Sequence, residues 1–523
     1  MPSAESVRAL LKKIKDRVRP EGKIIIIEPN TRTARILVSN STVGGTVLSY
    51  RAIARQLTEY GFELDQVNPR FLPSSNSAFL TRICFDSEWL QVIFGTRYLI
   101  QAARRAENDS SIRYSLAAVD QGERIVRHYV WLGLLLLGAL AVRLYHVTYP
   151  PNDSMIWRQA QTLMIARQYY ENRLNIFFPQ VYWRTLDAAP IEGYVGSCEL
   201  NVVPFLTALL YYVFGVQDWV GRVVPIFFAV GGLAYFHRMT RYFFGLRTAL
   251  FSTTILSFAP VYIFLGRVQM PESFVFCMIF MTVTYFTLWV DGDGFRFFPQ
   301  AALSCLFMLL GKPQTAYMAM PLLYLTLTRY KFRSVRMLRF YMFLLAVIPL
   351  CMAYYVWSFV ILPGRTGIAL QVPTIFKYGF DFLKQPLFYK EIIQRSWANA
   401  VGCWVVALGL IGFLLPSRKM RDWFPHFFFL ASVGSIFYMP GMHLHNPYYQ
   451  TLFAPPLAML GGRFLTSVTN WKYGKALVGA VLIPAIVTSL QTAATQFTFE
   501  PVRGSPRQSG RDRERQRHTD GAA

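Results

Sequence analysis

The chain has 523 residues, of which 53% are hydrophobic and only 16% charged. That excludes a soluble enzyme of this size, whose surface would need far more charge, and the length exceeds one ordinary compact domain. A net charge of +24 would suggest nucleic acid in a soluble protein. Here the basic residues cluster between apolar runs, as cytoplasmic loops of a membrane protein do, so no nucleic-acid partner is expected.

Residues 1–127 differ in composition from the rest. Val7 to Val18 reads as a basic amphipathic helix and Ile24 to Ile27 as a short buried strand. Ser49 to Tyr60 fits a second helix ended by Gly61, and Phe62 to Val67 a second strand. This order implies a small α/β domain. The phrases "RPEGKIIIIEPN" and "LTEYGFELDQVNPRFLP" resemble the closing half of a class I S-adenosylmethionine methyltransferase over residues 6–105. The Gly-rich cofactor turn of that family has no counterpart before Ile24. S-adenosylmethionine is therefore not an expected cofactor, and the head reads as a remnant, docking or partner-binding domain.

A bilayer-crossing helix needs about 20 mostly apolar residues. Tyr129 to His146 is the first clear run, preceded by Arg124 and Arg127, and no cleavable signal peptide is visible before it. Further runs lie at 201–216, 219–237, 248–266, 273–291, 298–311, 315–328, 339–361, 399–415, 425–440, 450–462 and 476–492. The expectation is an α-helical polytopic membrane protein of about 11–12 spans with the head in the cytoplasm. Basic clusters at Arg238–Arg247, Arg329–Arg339, Arg418–Arg421 and Arg463–Lys475 alternate with the runs if all four are cytoplasmic. The stretch 201–237 must then cross an odd number of times although it looks like two runs, so one of them lies along the interface or dips in. The transmembrane domain reads as 128–492, followed by a polar Arg-rich tail, 493–523, whose side stays open.

That orientation gathers the unusual polar residues outside the cytoplasm. They are Asp153, Arg158, Asp187, Glu192, Glu199, Arg267, Glu272, Lys312, His443, His445, Tyr448 and Tyr449. Ionisable groups beside apolar spans are costly and usually functional. Each has a plainer reading. Asp153 suits a helix N-cap, Lys312 snorkelling, and the tyrosines an aromatic belt. Together they suggest a pocket for an anionic lipid-linked ligand. The six cysteines (Cys84, Cys198, Cys277, Cys305, Cys351, Cys403) show no metal-like spacing and read as packing, not disulfides.

The segment "PNDSMIWRQAQTLMIARQYYE" resembles the first extracytoplasmic loop of bacterial dolichyl-phosphate-mannose-protein mannosyltransferase-like enzymes, members of the GT-C glycosyltransferases. "CELNVVPFLTALLYYVFG", "VGRVVPIFFAV", "RVQMPES", "GKPQTAYMAMPLLYL" and "HNPYYQTLFAPPLAML" match later signatures in order, over about residues 129–465. Gln161 stands where many members carry Asp. The resemblance implies inverting transfer of a sugar from a polyprenyl-phosphate donor to a lipid, glycan or protein acceptor, in the inner or plasma membrane. It makes Asp153 the catalytic base, with Glu272 a second acid candidate. Lys312, with Arg158 or Arg267, would neutralise the leaving phosphate. Glu199 with His443 or His445 suits an acceptor or a divalent metal, or Glu199 simply pairs with an arginine. Tyr448 and Tyr449 suit sugar stacking. The loop 362–397, with Lys377, Lys384, Lys390 and Arg395, would cover the lipid carrier. The competing readings are a transporter or flippase of lipid-linked sugars, and an inactive scaffold.

Overall fold

The computed structural model describes residues 113–496, apart from 152, 184–190, 197–198, 293–294, 364–366, 370–379 and 418. The methyltransferase-like head, Asp187, Lys377, Arg418, Cys84, Cys198 and the tail lie outside the described residues, as do the contacts of the Glu192 side chain. The chain divides into two units, residues 1–130 and 131–523. Of the first, only the start of one helix is described.

That helix, α1 (Arg113–Leu144), becomes apolar enough to cross a membrane from Val126. After it come α2 (Ile156–Glu171), strands β1 (Gln180–Trp183) and β2 (Ile191–Gly196), α3 (Val202–Phe214), α4 (Asp218–Phe244), α5 (Leu246–Ser257) and α6 (Pro260–Leu265). The chain continues through α7 (Glu272–Asp291), α8 (Phe298–Gly311), α9 (Ala319–Tyr330) and α10 (Leu338–Val356). Then follow β3 (Gly367–Ala369), α11 (Pro386–Arg395), α12 (Cys403–Phe413), α13 (Phe424–Tyr438), α14 (Pro440–His445), α15 (Ala454–Val468) and α16 (Gly474–Gln496). Five helices are each long and apolar enough to span a bilayer: α1, α4, α7, α10 with its π-helical extension, and α16. The pair α11–α12 qualifies together but bends by 103°. The protein is a helical multi-pass membrane protein.

Helix α7 is the axis of the bundle. It is apolar all round, so it must be enclosed, and 83% of its most apolar window is buried, against 17% for α10. Its 20 residues span about 30 Å at 1.5 Å per residue, the thickness of a bilayer core. Helix α4 runs parallel to it, with Phe228 on Phe274, Phe236 on Phe280 and the Tyr235 and Tyr285 hydroxyls 3.0 Å apart. Both ends of α7 carry an ion pair. At its start Glu272 accepts from Lys312, at the end of α8. At its finish Asp291 takes a two-pronged bond from Arg421 and a hydroxyl bond from Tyr242 of α4.

These two ends sort the remaining helices. Arg339 at the start of α10 donates to the Trp289 carbonyl, and Tyr330 at the end of α9 donates to the Val290 carbonyl, so both lie at the Asp291 end. Arg463 of α15 stacks over Phe244, at the same end. Tyr355, late in α10, and Tyr438, at the end of α13, reach the Leu309 and Gln314 carbonyls at the Glu272 end. Helix α3 is different. Leu200, just before it, bonds to the Leu310 carbonyl, and Phe214 at its finish packs on Trp219, one turn from Arg222. Both its ends lie at the Glu272 end, where it packs along α2 through Tyr170, Tyr211 and Tyr212. Of the two runs within 201–237, the second, α4, is long and apolar enough to cross a membrane, while the first, α3, keeps both ends at one end of the bundle.

The run 248–266 is broken into α5 and α6. Pro260 lacks an N–H and forces Ala259 out of helical geometry. Arg143, buried in the last turn of α1, donates to the Ser257 and Tyr262 carbonyls across this break. Strands β1 and β2 pair antiparallel, and β3 joins β2 in parallel, so the loop after α1 and the loop after α10 share one small sheet.

Close helix crossings rest on glycine. A Cβ on Gly412 would run into the Leu460 carbonyl of α15, and one on Gly462 into Ser252 of α5. Because backbone cannot yield there, Gly412→Ala should lower the melting temperature in detergent, at a cost of about 1–3 kcal/mol. Gly434→Ala, with open space around it, should leave it unchanged. Thermal unfolding followed by size exclusion compares the two.

At the Asp291 end, Asp291→Asn should also lower thermal stability, since it strips the Arg421 fork of its charged partner. An unchanged melting curve would show that the pin between α7 and the α12–α13 connection contributes nothing.

Candidate functional site

The Glu272 end of the bundle collects most of the candidates, in two adjacent groups that share α2. In the first, the Lys312 ammonium donates to Glu272 Oε1 at 2.5 Å. Lys312 sits there because α8 ends at Gly311, where a larger residue would press on Phe274 and Val275 of α7. The Tyr448 and Tyr449 rings each lie 4.9 Å from the ammonium, close enough for cation–π attraction. Arg158 lies within electrostatic range of Lys312. It forms an ion pair with Glu199 and donates to Gln161 Oε1 at 3.1 Å. Arg158, Gln161, Thr162, Glu199, Asn201 and Pro271 line a shallow recess beside this cluster.

The second group surrounds Asp153. Its Oδ1 accepts from Gln159 Nε2 at 2.6 Å and its Oδ2 from Arg222 Nη1 at 3.2 Å, with the Asp153 and Arg222 side chains fully buried. Arg222 also donates to the Tyr149 and Pro150 carbonyls, at 3.3 and 3.2 Å. Arg267, on the link between α6 and α7, donates to the His146 carbonyl at 2.9 Å. Burial, with Arg222 beside it, pushes the Arg267 guanidinium down to about 10, so it remains a cation at neutral pH. Asp153 does not cap α2. Met155 holds that place, without a side-chain bond.

His443 backs the first group, its ring edge-on to Tyr449 at 5.5 Å, and His445 lies outside it. His443 is buried, with its ring nitrogen 3.0 Å from Ser435 Oγ and its carbonyl accepting from Gln450. Burial pushes it down to about 4, so it is neutral at pH 7. His445 is exposed, edge-on to Phe382. The structure does not gather Glu199 and these histidines into one ligand set, and among the described residues no group of three His, Cys, Asp or Glu side chains suits a metal. Glu199 instead takes the arginine partner that was its plainer reading. Tyr448 and Tyr449 face a cation. In the loop 362–397, Lys384 pairs with Asp381 and Arg395 with Glu391 and the Leu444 carbonyl. The described cysteines, Cys277, Cys305, Cys351 and Cys403, are free, as expected.

Three polar groups here escape a reading of single residues: Arg222, Gln159 and Arg143. An arginine inside an apolar run was the available signal for the first and third, because such a charge is kept only where it is partnered.

Residues 201–357 match the family model described as dolichyl-phosphate-mannose-protein mannosyltransferase. That stretch includes Arg222, Arg267, Glu272 and Lys312. Among solved structures, the chain is similar to ArnT from Cupriavidus metallidurans bound to undecaprenyl phosphate, at 15% identity and a TM-score of 0.47, covering 68% of this chain and 63% of that one. It is also similar to the oligosaccharyltransferase AglB from Archaeoglobus fulgidus in complex with an inhibitory peptide and a dolichol-phosphate, at 13% identity and a TM-score of 0.43, covering 71% of this chain and 56% of that one. The chain thus spans less than two thirds of the length of either. No curated protein matches it in sequence.

Proposed function

We propose that this chain, whose residues 201–357 match the dolichyl-phosphate-mannose-protein mannosyltransferase model, is a GT-C glycosyltransferase that moves a sugar from a polyprenyl-phosphate carrier to an acceptor hydroxyl outside the cytoplasm. The observation that carries this reading is the Lys312–Glu272 pair, roofed by Tyr448 and Tyr449 and next to Arg158, at one end of a bilayer-length helix. Buried cations at the depth of lipid headgroups suit a lipid phosphate. Arg339, Arg421 and Arg463 lie at the opposite end of the bundle, which supports a cytoplasmic assignment for that end and an inner or plasma membrane location.

In the reaction, a new bond forms between the anomeric carbon and the acceptor oxygen. The bond from that carbon to the carrier phosphate breaks, and its electron pair leaves with the phosphate. Lys312 and Arg158 neutralise the charge that develops there. Asp153 takes the acceptor proton through Oδ1, the oxygen that Gln159 now occupies; an acceptor hydroxyl donates in place of that amide. Attack opposite the leaving phosphate inverts the anomeric centre. Arg267 stays by Asp153 and is assigned no phosphate contact. Glu199 orients Arg158 and faces the recess, where the acceptor would enter.

The test is transfer by the purified chain in liposomes, with radiolabelled polyprenyl-monophosphate sugars and host envelope lipids as acceptors. Label moving to a new lipid or glycan product supports the reading. Label crossing the bilayer without transfer would establish a flippase instead. Neither activity would leave the scaffold reading.

A further inference from the structure

We infer that Arg222 is a positioning residue for the Asp153 base, an inference that rests on the transfer reading above. Arg222 lies on α4, 69 positions from its carboxylate partner, and its side chain is fully buried. Its two terminal nitrogens do different work. Nη1 holds Asp153 Oδ2, and Nη2 bonds to the Tyr149 and Pro150 carbonyls where the chain leaves α1. One planar guanidinium therefore fixes both the carboxylate and the backbone just before it, a geometry that lysine cannot reproduce.

The consequence is an asymmetric carboxylate. Oδ2 is committed to an arginine held in the fold. Among the described residues Oδ1 accepts from Gln159 alone, whose flexible side chain also bonds to the Ser154 carbonyl at 2.8 Å. An incoming hydroxyl can displace an amide; it cannot displace a buried guanidinium without leaving that charge unpaired. Arg222 thus aims one chosen oxygen at the acceptor. The neighbouring sequence keeps the helix in place. Gly221 leaves room for Leu163 of α2 and Gln269 before α7, and a Cβ there would collide with both. Arg267 is electrostatically coupled to Arg222 and Asp153. Arg222→Gln and Asp153→Asn each strip one member of a fully buried pair of its partner, which gives the single variants a fold cost.

The experiment compares Arg222→Gln, Asp153→Asn and the double variant in detergent, reading melting temperature, folded fraction, and kcat and acceptor KM per folded molecule. Arg222→Gln should lose stability and at least tenfold in kcat, with acceptor KM little changed because Arg222 does not meet the acceptor. The double variant, with neither member of the Asp153–Arg222 pair left facing an empty partner, should regain part of the stability but not the transfer. Arg222→Lys should regain only part of kcat. Wild-type kcat in folded Arg222→Gln overturns the inference and leaves the transfer reading standing. Transfer regained by the double variant overturns both, since the pair would then serve only the fold. Full transfer by Asp153→Asn alone removes the base assignment beneath it.

Discussion

Asp153→Asn is expected to cut sugar transfer by about a hundredfold or more per folded molecule, the usual contribution of a positioned general base. Asparagine keeps the shape of the side chain and still accepts from Arg222, but it takes no proton from a hydroxyl. The substitution also leaves Arg222 without a counter-charge in a fully buried place, and breaking such a pair costs about 3–5 kcal/mol. Lost activity alone would therefore be ambiguous. The rate must be divided by the monodisperse fraction at each temperature, and the donor concentration kept saturating. Near-wild-type turnover under those conditions removes Asp153 as the base. Glu272 is the other acid candidate, but its Oε1 already accepts from Lys312 and is not open to an acceptor hydroxyl while that pair holds. Glu199, facing the recess, is the carboxylate to replace next.

Much of the architecture is written in the sequence because hydrophobic thickness is a strict constraint. Every apolar run corresponds to a helix, and the charges that bound α7, Glu272 and Asp291, mark its ends within the residue. Counting basic clusters requires an odd number of crossings within 201–237, so one of its two runs cannot cross; that this run is α3 follows from its contacts and not from the count. The stretch 248–266 reads as one run, although Pro260, which lacks an N–H, marks its break. Side-chain partners are not legible. Arg222 meets Asp153 across 69 positions, and Lys312 meets Glu272 across 40, through packing that no local pattern encodes. The clustering of Lys312, Glu272, Arg158 and Glu199 was anticipated as a common face; the pairing of each cation with one carboxylate was not. Among the described residues, no contact joins Glu199 to His443 or His445. His443 lies beyond the end of α13, with its ring against Ser435, Tyr449 and Phe453, a packing that no local pattern encodes.

Lys312→Met should reduce transfer by about a hundred- to a thousandfold, the scale seen when a preorganised group that meets developing charge is removed. The methionine fills much the same space beneath Tyr448 and Tyr449, so packing on the two rings changes little while the charge disappears. What remains is Glu272, only 5% exposed in its side chain and now unpaired. A carboxylate buried without its partner is costly, which weakens the start of α7. Stability therefore falls in the single variant, and Lys312→Met with Glu272→Gln should restore it by removing both charges. The decisive comparison is between stability and turnover in that pair. A cation that neutralises the leaving phosphate predicts a double variant that melts like wild type and still fails to transfer, with kcat reduced more than donor KM because the charge is greatest in the transition state. A lysine that only anchors α8 to α7 predicts that both properties return together. The same two proteins also separate enzyme from flippase. A carrier that merely guides a lipid phosphate needs attraction in the ground state, so loss of Lys312 would appear as weaker lipid binding with no chemical step to slow.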